Sequence, residues 1–316
     1  MTIFSRAAVL AAVSTTILVG SLLSPTAPAQ AAPAPDTSNS SALELKDLIR
    51  RDADGSVIPW GANEWDCKPS NSHPNPVVLV HGYGASASTT YPLLAPVLKA
   101  TGYCVYALNW GGEEPQPFYG YGSLRDAAHD LATFVDTVLA RSGATKVDIV
   151  GHSAGGVMTR WYLNKLGGGE KVSKFFAVAP ATNGTDVNGL TTMLPHTSPL
   201  VVNGLADTAQ PAVRDLMQNS DFVKQVNSPS PILPTVKYQV LATAADTVVT
   251  PVESQFLPSA PNVTNILLQD ICPQDNASHQ TITSDFVFIQ LVENFLGNRN
   301  APIACRIDLP RLRTVQ

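Results

Sequence analysis

The sequence predicts an α/β domain: a mostly parallel central sheet flanked by helices, with one inserted cap segment. Three observations predict it. Short apolar runs such as Val77-Val78-Leu79-Val80 have the pattern of strands buried on both faces. Amphipathic stretches of helical period alternate with these runs, the order expected when crossover helices link parallel strands. Of the 316 residues, 44% are hydrophobic and 14% charged, enough for one large core and too apolar for a disordered chain.

Taken in order, Val77 to Val80 is the first strand, Thr90 to Ala100 a helix entered through Tyr91-Pro92, and Tyr103 to Leu108 the next strand. Ser123 to Ser142 is the clearest helix. Ser123 with Asp126 forms a capping pattern, and Leu124, Ala127, Ala128, Leu131, Phe134, Val135, Val138 and Leu139 share one face. Gly143, tolerant of left-handed backbone, ends it. Lys146 to Val150 is a strand and Ala154 to Leu166 a helix stopped by Gly167-Gly168-Gly169. Val172 to Ala179 is a strand ending at Pro180. Tyr238 to Ala242 and Thr264 to Leu268 are two more strands, and Asp285 to Leu296 is the last helix. Thr185 to Pro234 breaks the alternation, with Pro195, Pro199, Pro211, Pro229, Pro231 and Pro234 set around short helical pieces, and is read as the cap.

The N-terminus follows different rules. Arg6 is the only charged side chain before Asp36, an apolar run spans Ala7 to Leu23, and Ala29-Gln30-Ala31 has the small-x-small pattern of a cleavage site. Residues 1–31 are therefore read as a signal peptide cleaved near Ala31, and the protein as secreted, with no transmembrane anchor after cleavage. An uncleaved anchor is disfavoured by Ser14, Thr15, Thr16, Gly20 and Ser21, since a span needs about 20 predominantly apolar residues. Residues 32–60 are read as a leader or N-terminal extension and 61–316 as the folded domain, with the cap at about 185–234. In an oxidising compartment Cys67, Cys104, Cys272 and Cys305 read as disulfides, for which three pairings exist. No Cys-x-x-Cys or Cys/His cluster is present, so no metal is expected. The net charge of −5 argues against nucleic-acid binding, and the absence of any repeat period against solenoids and propellers.

Gly151-His152-Ser153-Ala154-Gly155 carries the chemistry. It matches G-x-S-x-G between a buried strand and a helix, where the sharp turn forces the serine into a strained conformation and lifts its Oγ to the open end of the sheet. Backbone approaches backbone on either side of that turn, so side chains at 151 or 155 would clash. A serine needs a positioned base. Of His73, His81, His129, His152, His196 and His279, only His196 and His279 follow the nucleophile at a distance. Position favours His279, between the last strand and the last helix, over His196 in the cap. The acid should sit at the carboxyl end of an intervening strand. Asp246 fits, with Asp270 as its rival, while Asp207, Asp215 and Asp221 fall in the cap. Two backbone N–H donors are expected for an oxyanion: Ala154, after the nucleophile, and Tyr83, in the loop His81-Gly82-Tyr83-Gly84. His81 itself is read as a structural ring.

These segments resemble secreted lipases and esterases of the α/β-hydrolase superfamily, both the bacterial branch and the fungal lipase B type. The likeness runs from about Cys67 to Cys305 through Val77 to Gly84, Gly102-Tyr103-Cys104, Gly151 to Gly156, Phe176 to Pro180, Ala244 to Val249 and the loop from Cys272 to His279. The resemblance implies Ser153, Asp246 and His279 as a triad, Tyr83 and Ala154 as oxyanion donors, and the pairings Cys67–Cys104 and Cys272–Cys305. It departs from the lipase B type at His81-Gly82 and at Tyr83, where that type has threonine. The long C-terminal extension of that type is largely missing.

The expected protein is thus a secreted, monomeric serine hydrolase of carboxylic esters without cofactors. Acylglycerols are the expected substrate, met at a lipid–water interface. An extracellular acyltransferase using the same triad and a non-catalytic binding protein on this scaffold are the alternatives. Leu190, Met193, Leu194, Leu200, Val201 and Val202 in the cap could line an acyl pocket or simply form the core of the insertion.

Overall fold

The computed structural model describes residues 48–52, 55–112, 119–186 and 210–305. The expected signal peptide and most of the expected leader lie outside these residues. Where the extension is described, β1 (Ile49–Arg51) and β2 (Val57–Pro59) pair antiparallel. Arg50 then donates to the carbonyls of Ala62 and Asn63, fastening this ribbon to the domain.

The main sheet has six strands: β3 (Val77–Val80), β4 (Val105–Leu108), β5 (Val147–His152), β6 (Val172–Val178), β7 (Lys237–Ala242) and β8 (Val263–Leu267). They lie in the order β4-β3-β5-β6-β7-β8, with every neighbouring pair parallel. Strand side chains alternate between the faces. Val78 and Val80 therefore pack with Ile149 under the helices Leu124–Ser142 and Ala154–Lys165. Val77 and Leu79 pack with Val150 and Phe176 under Leu94–Ala100 and Phe286–Leu296. Both faces of β3 are covered, which is why its four residues needed to be apolar without interruption.

Local chemistry sets the helix ends. The Ser123 hydroxyl accepts from the N–H groups of Arg125 and Asp126, and Gly143 closes the helix at φ 80°. The helix expected over Thr90 to Ala100 is two pieces, Ala87–Thr90 and Leu94–Ala100. The physical reason is Pro92, whose ring disfavours helical backbone at the preceding residue; Tyr91 sits at φ −123° and ψ 37°. Tyr91 is buried there, donating its hydroxyl to Val80 O (3.0 Å) and, more weakly, Val150 O (3.3 Å), between the neighbouring strands β3 and β5.

Of the expected cap, Thr185, Asp186 and residues 210–234 are described; His196, Asp207 and the apolar residues between Leu190 and Val202 lie outside the described residues. The part that is described carries the helices Pro211–Leu216 and Asp221–Val226. Ala212, Leu216, Phe222 and Val226 join the main core, so this part of the insertion is built into the domain. Buried Arg160 reinforces the join, donating to Thr182 O, Asn227 Oδ1 and Pro231 O. The disulfides are Cys67–Cys104 and Cys272–Cys305, with Cα atoms 5.7 and 5.4 Å apart. Among the described residues no helix is long and apolar enough to cross a membrane.

The topology itself prepares a crevice. From β3 the chain moves outward to β4 on one side, whereas β5 and the strands after it build the other side. Loops leaving the carboxyl ends of β3 and β5 therefore diverge, which opens a cleft between them.

Candidate active site

Ser153 stands in that cleft, between β5 and the helix Ala154–Lys165. Its backbone is at φ 54° and ψ −122°, left-handed in φ, which costs a residue with a side chain about 1–3 kcal/mol. The surroundings hold it there. Ser153 N–H donates to Val178 O on β6, and its own carbonyl accepts from Gly156 N–H at the start of the helix. A Cβ on Gly155 would lie 2.2 Å from His81 O and 2.6 Å from Val80 O; one on Gly151 would lie 3.1 Å from Gly155 O. The β3 loop and the elbow thus touch backbone to backbone. Gly155→Ala must push two carbonyls aside, an overpacking cost of about 1–3 kcal/mol that should appear as a lower denaturation midpoint.

His279 Nε2 is 2.9 Å from Ser153 Oγ, and His279 Nδ1 is 2.7 Å from Asp246 Oδ2. All three side chains are buried, although they come from three separate loops. Asp246 lies beyond β7 in a tight turn, where its Oδ1 accepts from the N–H groups of Val248 (2.7 Å) and Val249 (2.9 Å). Gln255 Nε2 donates to Oδ2 at 3.0 Å. Burial pushes the Asp246 carboxyl upward, but the hydrogen bond and charge of His279, with the two backbone donors, more than offset it and hold the group below its usual range. The loop carrying His279 is fixed by Thr243, whose hydroxyl donates to Ala277 O, and by the bridge at Cys272.

Two further histidines serve as fixed rings. His152 donates from Nε2 to His279 O (3.0 Å), and burial, with His279 nearby, lowers its pKa to about 3. His81 donates from Nδ1 to Gly82 O (2.7 Å), accepts from Trp110 N–H at Nε2 (3.2 Å) and stacks on the Trp110 ring. Its burial lowers its pKa to about 4. Both remain neutral at pH 7, so neither places a positive charge beside the cleft.

The cleft has a volume of about 490 Å³, lined among others by Tyr83, Thr89, Tyr121, Ser153, Val248 and His279. Tyr83 packs edge-on against Tyr121 and donates its hydroxyl to Gln210 Oε1 (2.6 Å), tying the β3 loop to the returning end of the insertion. Among the described residues the N–H groups of Tyr83 and Ala154 donate to no backbone carbonyl.

Residues 75–228 match a family model described as the alpha/beta hydrolase fold. The chain has the α/β-hydrolase fold. A triacylglycerol lipase of Pseudarthrobacter phenanthrenivorans is 33% identical over 91 residues, which is 27% of this chain and 27% of that protein. The structure is similar to Aspergillus fumigatus lipase B, with a TM-score of 0.61 and 22% identity, over 90% of this chain and 66% of that one. It is also similar to Bacillus licheniformis lipase BlEst2 in its propeptide form, with a TM-score of 0.55 and 18% identity, over 76% and 54% of the two chains. The matches thus span about a quarter of the curated relative and up to about two thirds of these solved structures.

Within this fold the other candidates fall elsewhere. Asp270, the rival acid, is exposed on the short helix Leu268–Ile271. Asp215 accepts from Leu124 N–H and pairs with Arg125, capping a helix instead. His129 is exposed, and His73 packs at a tilt against the Tyr103 ring. Gln255 was missed. A glutamine in a polar loop carries no local pattern, and only the three-dimensional turn brings it to Asp246.

Proposed function

We propose that this chain is a serine hydrolase of carboxylic esters, with Ser153 as nucleophile, His279 as general base and acid, and Asp246 as the carboxylate that orients the imidazole. The observation that carries this reading is the hydrogen-bonded run Ser153 Oγ, His279 Nε2, His279 Nδ1, Asp246 Oδ2, with bonds of 2.9 and 2.7 Å. Asp246 accepts at Nδ1–H, which leaves the Nε2 lone pair facing the hydroxyl, the tautomer a base requires.

The steps follow from that arrangement. Ser153 Oγ attacks the ester carbonyl as His279 Nε2 takes its proton. The carbonyl oxygen becomes an oxyanion, received by the N–H groups of Tyr83 and Ala154, the latter at the positive end of the helix Ala154–Lys165. The imidazolium, stabilised by the ionised Asp246, returns its proton to the departing alkoxide. Water then repeats the sequence on the acyl-enzyme and frees the acid. Acylglycerols are the proposed natural substrate, supported by the curated relative's being a triacylglycerol lipase. Secretion is proposed from the pattern of residues 1–31, and two disulfides suit an oxidising compartment.

The direct test is a fluorophosphonate probe on the purified protein. One equivalent of label should appear on the peptide carrying Ser153, with simultaneous loss of p-nitrophenyl butyrate turnover. A protein that turns over the ester with Ser153 unlabelled, or that neither labels nor turns over, overturns the assignment. Rates on triacylglycerols of rising chain length, below and above the solubility limit, then test the substrate: preference for dispersed droplets is the expected result.

A further inference from the structure

Resting on that reading, we infer that Gln255 is a positioning residue, which fixes the Oδ2 oxygen of Asp246 against His279 Nδ1. Gln255 is fully buried at the end of the single turn Val252–Gln255. That turn is held from outside, because Asn183 donates to Ser254 O from its backbone N–H and to Ser254 O and Phe256 O from Nδ2. The backbone bearing Gln255 is therefore placed independently of Asp246.

Its amide has one workable orientation. Nε2 donates to Asp246 Oδ2 (3.0 Å) and to Val249 O (3.1 Å), using both hydrogens on the acid loop. Turned over, the amide would set its oxygen against a carboxylate and a carbonyl at once. In the orientation adopted, Oε1 is buried with no hydrogen-bond partner among the described residues. Such an orphaned acceptor is costly, and an apolar side chain of the same shape would not carry it. A residue kept only for packing needs no amide here. The amide is explained by what its hydrogens do.

The division of labour on the carboxylate supports this. Oδ1 is held by the two N–H groups of its own turn, whereas Oδ2 meets His279, which comes from a different loop. Gln255 supplies the second donor to Oδ2 and grips the Val249 carbonyl, so the oxygen facing the imidazole is located from two sides. The titratable groups facing Asp246 are His279 and, behind it, His152, which burial keeps neutral.

Gln255→Met keeps the volume and removes both the donors and the orphaned oxygen. Its kcat on p-nitrophenyl butyrate should fall about 10- to 100-fold, the scale of a small misplacement of a reacting group. KM should stay within about twofold, since the substrate does not meet Gln255. Gln255→Glu sets a carboxyl between the Asp246 carboxylate and the Val249 carbonyl, where burial and the neighbouring charge keep it protonated, so that it returns one O–H donor to Oδ2. It should therefore recover most of the kcat lost in Gln255→Met, to within about fivefold of the parent. Thermal denaturation of both variants checks the fold; if Gln255→Met does not fold, Gln255→Leu takes its place, with the same fall in kcat expected. A Gln255→Met kcat within about twofold of the parent, or a Gln255→Glu kcat no higher than that of Gln255→Met, overturns the inference while leaving the proposed function standing. If the parent neither labels nor turns over, the proposed function fails separately. The downfield proton resonance of His279 Nδ1–H, compared in the parent and Gln255→Met without substrate, then decides: a displaced signal supports the positioning role and an unchanged one overturns it.

Discussion

Replacing Ser153 by alanine should lower kcat on p-nitrophenyl butyrate by about 10⁵- to 10⁶-fold, the scale on which a serine–histidine pair fails when either member is removed. The effect is large because the rest of the machinery has nothing to act upon. His279 keeps its bond to Asp246 and the two backbone donors keep their direction, but no atom is left to form the acyl-enzyme. What remains is direct attack by water, helped by the oxyanion donors alone. Folding should be little affected. The substitution removes one hydroxyl bonded to His279, and the imidazole it leaves behind faces the cleft, where water can satisfy it. The strained backbone at φ 54° is set by Gly155, Val178 and the neighbouring loop, and alanine inherits it unchanged. A melting temperature close to the parent's, with turnover and fluorophosphonate labelling both abolished, is the expected pair of results. Turnover within about tenfold of the parent would show that a different group attacks the ester.

How much of this could be read from the chain follows from which features are local. The six strands were visible because each carries apolar residues, continuous in Val77–Val80 and interrupted by Thr264 and Asn265 in Val263–Leu267, and the elbow because strand, glycines, serine and helix are consecutive. His279 and Asp246 could be proposed from their order and from the strand ends they follow, since chain direction in a parallel sheet puts all such loops on one side. The unforeseen features depend on contacts between distant segments. Gln255 meets Asp246 only because Asn183 pins the intervening turn, and the Tyr83 hydroxyl finds Gln210 across the mouth of the cleft. The helix expected over Thr90 to Ala100 was misread for a different reason: a proline that looked like a starting signal acts on the residue before it. Asp215 has the charge an acid needs, yet it spends its carboxylate on a helix terminus, a fate invisible without coordinates.

The exchange Asp246→Asn separates the position of the acid from its charge, and it should cost about 10⁴-fold in kcat. Four donors converge on this carboxylate: two backbone N–H groups on Oδ1, and His279 with Gln255 on Oδ2. An asparagine has one oxygen to offer. The backbone donors are fixed by the turn and cannot move away, so the oxygen must stay at the Oδ1 side and the amide nitrogen takes the place of Oδ2. That nitrogen donates. It turns the imidazole into the tautomer that accepts at Nδ1 and carries its hydrogen on Nε2, pointing at Ser153, where a base needs a lone pair. The same nitrogen also confronts the amide of Gln255, and losing that charge-assisted bond should cost about 1.5–3 kcal/mol of stability. Activity should therefore collapse by far more than stability, with labelling by the fluorophosphonate slowed in parallel with turnover because both need the base. A rate within about tenfold of the parent would mean that His279 finds its tautomer without Asp246, and that the bond between them serves only to hold the fold.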